Sequence, residues 1–266
     1  MALDNKIFKN EDPRKLWYFL GASILISWVT LLIPKISFAY VITPFLVALF
    51  LATFNTTEGI KKDFRDRIVD IKRINRGWLL LVLLFHPTVV FLTYGLSAGF
   101  GLAPIDWECI KLSVSQNLLM YLVFMIFPSI FEQAAWRGFA LDRMQLKWTA
   151  LQASLLTALF HIVWCLPLFF EGNVMASIGL FTPRFFAWVI QMLALSVVYT
   201  VIYNNNQRSI LITILFHVLF NITNVALCYK LAEASVSTEV IRTGIYVLTA
   251  AGFVVYFGAK HLLKEK

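Results

Sequence analysis

The side chains able to do chemistry in this 266-residue chain are few, and they fall on apolar runs. Glu132, Gln133 and Arg137 stand in FEQAAWRGF, His161 and Cys165 in FHIVWC, and His217 and Asn221 in HVLFN. An ionisable group near the centre of a hydrocarbon layer costs at least about 2.5 kcal/mol, so each needs a partner or a task. A carboxyl group held among apolar neighbours, as at Glu132, suits a general base that takes and returns a proton near neutral pH. A structural Glu132–Arg137 pair is equally open, and Arg137 near its helix end is expected to snorkel toward headgroups. His217 and Asn221 lie one helical turn apart, so they share a face that Asn224 extends. Imidazole and carboxamide N–H groups can donate to a developing oxyanion, although such a pair can also simply bridge two helices. His161 and Cys165 likewise share a face. Glu132, His161, Cys165 and His217 form a chemically credible zinc set, but no cofactor is required by the chemistry and zinc is the lesser alternative. His86, beside Pro87, reads as a helix–helix hydrogen bond, and His261 lies past the last apolar run.

Positioning these groups requires helices at membrane depth. With 59% hydrophobic and 14% charged residues and a mean hydropathy of +0.75, the chain carries more apolar surface than a soluble domain of this size can hide. Apolar runs near 16–33, 36–54, 78–100, 112–135, 149–170, 184–203, 209–229 and 241–259 predict an all-α membrane protein of about eight transmembrane helices. The segment 57–77 adds an amphipathic helix, with Ile60, Phe64, Ile68, Ile71 and Trp78 on one face and basic residues on the other. The net charge of +8 does not point to nucleic acid. With the N-terminus in the cytosol, all but Lys35, Lys111, Arg184, Lys230 and Arg242 of the 23 basic residues fall on inner segments. This positive-inside pattern supports an even number of spans, with both termini expected in the cytoplasm. The lipid bilayer is therefore the first partner. The first fifteen residues are polar, so no cleavable signal peptide is expected. Cys109, Cys165 and Cys228 form no spaced framework, and no structural disulfide is expected of them. Without repeats or linkers, residues 1–266 read as one polytopic domain with its motif-bearing core at 112–229.

In this order, EQAAWRG at 132–138, WCLPLFF at 164–170 and HVLFN at 217–221 resemble the three motifs of the CPBP family. That family comprises intramembrane proteases that include CAAX prenyl endopeptidases and bacteriocin-processing, Abi-type proteins. The resemblance implies the CPBP fold, with Glu132 and a histidine on the next motif helix activating water, and His217 and Asn221 stabilising the oxyanion. Two positions depart from the pattern. Gln133 replaces the second glutamate of the pair, and Cys165 occupies the slot of the water-activating histidine. His161 stands one turn earlier, about 6 Å along the helix axis, on the same face. The expected function is thus a CPBP-family membrane protein, read first as a degenerate pseudoprotease that binds or regulates membrane-associated peptide or protein partners. The alternative is an active glutamate-dependent endopeptidase cleaving a membrane-associated peptide or lipoprotein. Supporting positions are Gln133, Arg137 and Cys165, and the expected location is a bacterial plasma membrane.

Overall fold

The computed structural model describes residue 8 and residues 11–54, 56–102, 106–116, 118–170, 172–173, 175–228 and 235–264. Among these the chain is helical throughout, with no strand. Helix α1 spans Lys15–Leu31, α2 Ala39–Thr53, α3 Glu58–Val69 and α4 Arg76–Gly99. Then follow α5 at Trp107–Gln116 and α6 at Leu118–Ala135. A π-helical turn, Trp136–Leu141, joins α6 without interruption to the short α7, Asp142–Gln145. Helices α8 at Ala150–Cys165, α9 at Pro183–Asn205, α10 at Ile210–Ala226 and α11 at Val236–Phe257 complete the order.

Side-chain caps start these helices where the sequence supplies them. Asn75 accepts from the Gly77 amide at 2.8 Å, Thr182 from Phe185 at 3.2 Å, and Ser235 from Thr238 at 3.1 Å. Thr149 and Gln152 form a reciprocal capping box at the start of α8. Pro167 ends that helix just after Cys165, because proline cannot donate the next helical bond. These fixed ends set the register of the site residues along each axis.

Four helical segments, at Arg76–Gly99, Ala150–Phe169, Pro183–Asn205 and Val236–Phe257, are long and apolar enough to cross a membrane. Helices α1, α2 and α10 are apolar but shorter. Large apolar side chains face outward along them, with Leu25 66% and Val255 87% exposed, as expected where lipid is the solvent. Inside, α6 packs on α2 and α10, α9 on α8 and α11, and α4 on α10 and α11. Small residues allow close approach, so that Ser196 on α9 donates to the Ser154 carbonyl of α8 at 2.8 Å.

The run 112–135 is helical at 112–116 and 118–135, and residue 117 lies outside the described residues. Two expectations are corrected here. The amphipathic stretch 57–77 holds a helix only from Glu58 to Val69, followed by a short 3-10 turn at 71–73. Cys109 and Cys228 are joined in a disulfide that ties α5 to the end of α10. Spacing along the chain could not reveal that bond, because the two cysteines are 119 residues apart and meet only through tertiary packing.

The end of the bundle that carries α3 is held by a buried ionic cluster. Asp142, fully buried, accepts from Arg67 Nη1 at 2.6 Å, from Tyr203 Oη at 2.9 Å and from Arg208 Nε at 3.1 Å. Arg67 also pairs with Asp63 at 2.9 Å and donates to the Gly138 carbonyl at 3.2 Å, pinning the amphipathic helix to the π turn. Burial pushes the Asp142 carboxyl up, but Arg208, Arg67 and the hydrogen bonds from Arg208 and Tyr203 outweigh it and hold the group below the usual carboxylate range. Removing one partner of a buried pair strands the other charges, so Asp142→Asn is expected to lose about 3–5 kcal/mol of stability, read by denaturation in detergent. Because the folded value is depressed, this stabilisation is present above the unfolded carboxyl value, about 3.9, and is lost as pH falls through the lower folded value. The Asn variant should lack that part of the acid dependence.

Candidate active site

Glu132 lies one turn before the π segment on α6, and π turns insert an extra residue that re-aims the side chains around them. Its carboxylate meets two imidazoles. His161 Nε2 from α8 approaches Glu132 Oε2 at 3.5 Å, and His217 Nδ1 from α10 approaches the same oxygen at 3.9 Å. These contacts are long for hydrogen bonds, as catalytic contacts often are before substrate binds. Glu132, Gln133, Arg137, His161, Cys165 and His217 all line one cavity of about 670 Å³. Three separate helices therefore deliver six of the seven site residues to a single space. Asn221, half-buried one turn beyond His217, stands outside that lining, where α10 contributes His217 and Phe220.

Each group is held by neighbours. Trp136 stacks on the His161 ring with centroids 5.0 Å apart and planes 8° apart, and fixes its plane from the π turn. Arg137 does not snorkel to headgroups. It is 4% exposed, with its guanidinium over the Tyr199 ring at 4.3 Å and facing the Glu132 cavity. The expectation failed because the π turn carries Arg137 inward, a change of register that the sequence does not announce. Cys165 sits beside the Tyr40 hydroxyl, which itself donates to the Trp164 carbonyl at 2.7 Å. Tyr40 and Trp164 stack at 4.4 Å, so the thiol borders an aromatic wall. Tyr40, Trp136 and Tyr199 are residues that motif reading missed. Trp136 had a signal in its place inside WRG; the two tyrosines, on helices remote in sequence, had none. His86 behaves as expected, with Nδ1 3.4 Å from the Tyr246 hydroxyl on α11.

Gln133 has a definite task. Its carboxamide N–H donates to His217 Nδ1 at 2.7 Å. With the carboxamide in this orientation Nδ1 accepts, and the neutral ring carries its proton on Nε2, the nitrogen left to donate elsewhere. A glutamate at this position would accept from Nδ1–H and favour the opposite tautomer. Ring 15N shifts of His217 should therefore report an unprotonated Nδ1 and a protonated Nε2, and Gln133→Glu should reverse that pattern. Among the described residues, no three His, Cys, Asp or Glu side chains are grouped so as to hold a metal ion.

Residues 114–223, which run from the end of α5 into α10, match the family model described as type II CAAX prenyl endopeptidase Rce1-like. The chain is also 28% identical over 219 residues to CAAX prenyl protease 2 of Methanococcus maripaludis, an alignment that covers 80% of this chain and 78% of that protein. The motifs at 132–138 and 217–221 and the helix carrying His161 all fall within the matched core. Over that core the chain is similar to the Rce1-like CAAX prenyl endopeptidases.

Proposed function

We propose that this chain is an active, glutamate-dependent intramembrane endopeptidase, and the observation that carries the reading is the 3.5 Å approach of His161 to Glu132. The slot of the expected histidine holds Cys165, yet an imidazole reaches the carboxylate from one turn earlier on the same face. In this mechanism Glu132 takes a proton from water as the water oxygen attacks the scissile carbonyl carbon. His161, stacked on Trp136, orients that water and the carboxylate. The tetrahedral oxyanion accepts the Nε2–H of His217, whose tautomer Gln133 sets. Collapse breaks the C–N bond, and Glu132 returns its proton to the departing amine, so the site ends as it began. Arg137 supplies positive charge facing the developing anion. No step runs through a metal, and cleavage should persist in the presence of chelators.

The protein is taken to cross the plasma membrane eight times, with α1, α2, α4, α6, α8, α9, α10 and α11 as the spans, α3 at the inner interface and both termini in the cytoplasm. The archaeal relative is named for CAAX prenyl substrates; for this chain the substrate class is a membrane-associated peptide or lipoprotein. The competing reading, a scaffold that binds partners without cutting, rests on Gln133 and Cys165. It has less support once Gln133 has a hydrogen-bonding task and His161 reaches Glu132. Glu132→Gln keeps the shape and removes the base, so cleavage in reconstituted membranes should fall by about 10²–10⁴-fold with folding intact. Unchanged cleavage in a folded Glu132→Gln protein would refute the mechanism.

A further inference from the structure

We infer that the active-site cavity opens on the non-cytosolic side of the membrane, so the substrate is an apolar peptide segment presented from that side. The substrate half of this statement rests on the endopeptidase reading; the direction of opening does not. Four observations agree on the direction. First, the cavity reaches the surface at the turns between α1 and α2 and between α8 and α9, where Pro34, Phe38 and Gly172 line it and are exposed. Second, the way to the other end is filled. Trp136, Phe139, Ala140 and Leu141 are fully buried directly below Glu132, and the Asp142 cluster closes the bundle beneath them.

Third, that closed end carries the positive charge. Lys15, at the start of α1, donates to the Leu51 carbonyl at the end of α2, which puts α1 and α2 antiparallel with their basic ends together. Arg67, Arg143, Lys147 and Arg208 belong to the same end, and positive charge marks the cytosolic face. Fourth, the Cys109–Cys228 disulfide lies at the opposite end, after α10 has run its full length from Ser209. Disulfides persist on oxidising, extracytosolic faces. The open end of the cavity and the disulfide therefore share one side of the membrane.

The lining also limits what enters. Glu132 and Arg137 are its charged side chains, and Phe38, Val41, Leu168, Met175, Trp188 and Met192 make most of the wall apolar. A prenylated C-terminus displayed in the cytosol would be on the wrong side of this opening. A membrane-anchored segment with apolar residues around its scissile bond, exposed at the outer leaflet, fits it.

The test uses the full chain with single cysteines introduced at the open end, Ser37→Cys and separately Asn173→Cys, and at the basic end, Lys147→Cys. A membrane-impermeant maleimide is applied to intact cells and to inverted vesicles, and the unsubstituted chain, with Cys165 buried and the other two cysteines paired, sets the blank. The expected result is labelling of either open-end variant in intact cells, and of Lys147→Cys in inverted vesicles only. Labelling of both open-end variants from the cytosolic side only, or of neither from either side, overturns the inference. A quenched apolar peptide added to detergent-solubilised protein reports cleavage separately. Its failure there would remove the endopeptidase reading while leaving the direction of opening decided by the labelling.

Discussion

A carboxylate held within the helical bundle is the constraint on which the remaining structure depends. Glu132 can stay there only if polar groups converge on it, and α8, α10 and the π turn exist in their observed register to supply them. His161 and His217 bring two ring nitrogens within 3.9 Å of one carboxylate oxygen, and Arg137 faces the same cavity. The cost of burying one charged group is thus spread over three helices and recovered as a preorganised site. The arrangement also explains the rigid surroundings. Trp136 and Trp164 flank His161, and Tyr40 anchors Trp164 through both stacking and a hydrogen bond.

The step from Cys165 to His161 puts an imidazole beside Glu132 from one turn before the expected slot, on the same face of α8. Two positions four apart on a helix face the same cavity at different depths. What decides between them is the partner's position, and here Glu132 sits where the earlier turn of α8 can reach it. Cys165 is then left against Tyr40, in an aromatic wall. Gln133 follows similar logic. Losing the carboxylate removes a base, but gaining an N–H donor fixes which nitrogen of His217 carries the proton.

Much of this was legible in the sequence, and the parts that were not share a cause. Helix starts at Asn75, Thr149, Thr182, Ser209 and Ser235 carry cap residues that act locally, so the positions of α4 and α8 to α11 follow from neighbours in the chain. Glu132, His161 and His217 stood out because ionisable groups on apolar runs demand an explanation. Arg67 falls by helical period on the basic face of the amphipathic segment, yet it is 1% exposed and paired with Asp142, 75 residues away. Arg137 was misplaced because the π turn, not the α-helical period, sets its direction. The Cys109–Cys228 bond likewise depends on how α5 meets α10. Local chemistry was readable; contacts made only by distant segments meeting were not.

The central claim is that His161, and not the residue in the expected slot, works with Glu132. The most direct measurement compares kcat/KM for His161→Phe and Cys165→Ser in the same reconstituted membrane, with folding checked for both. The account predicts that His161→Phe loses about 10²-fold or more, as removal of a group orienting the base and water should, while Cys165→Ser stays within about tenfold of the parent. Full activity in His161→Phe, or a collapse confined to Cys165→Ser, would contradict it.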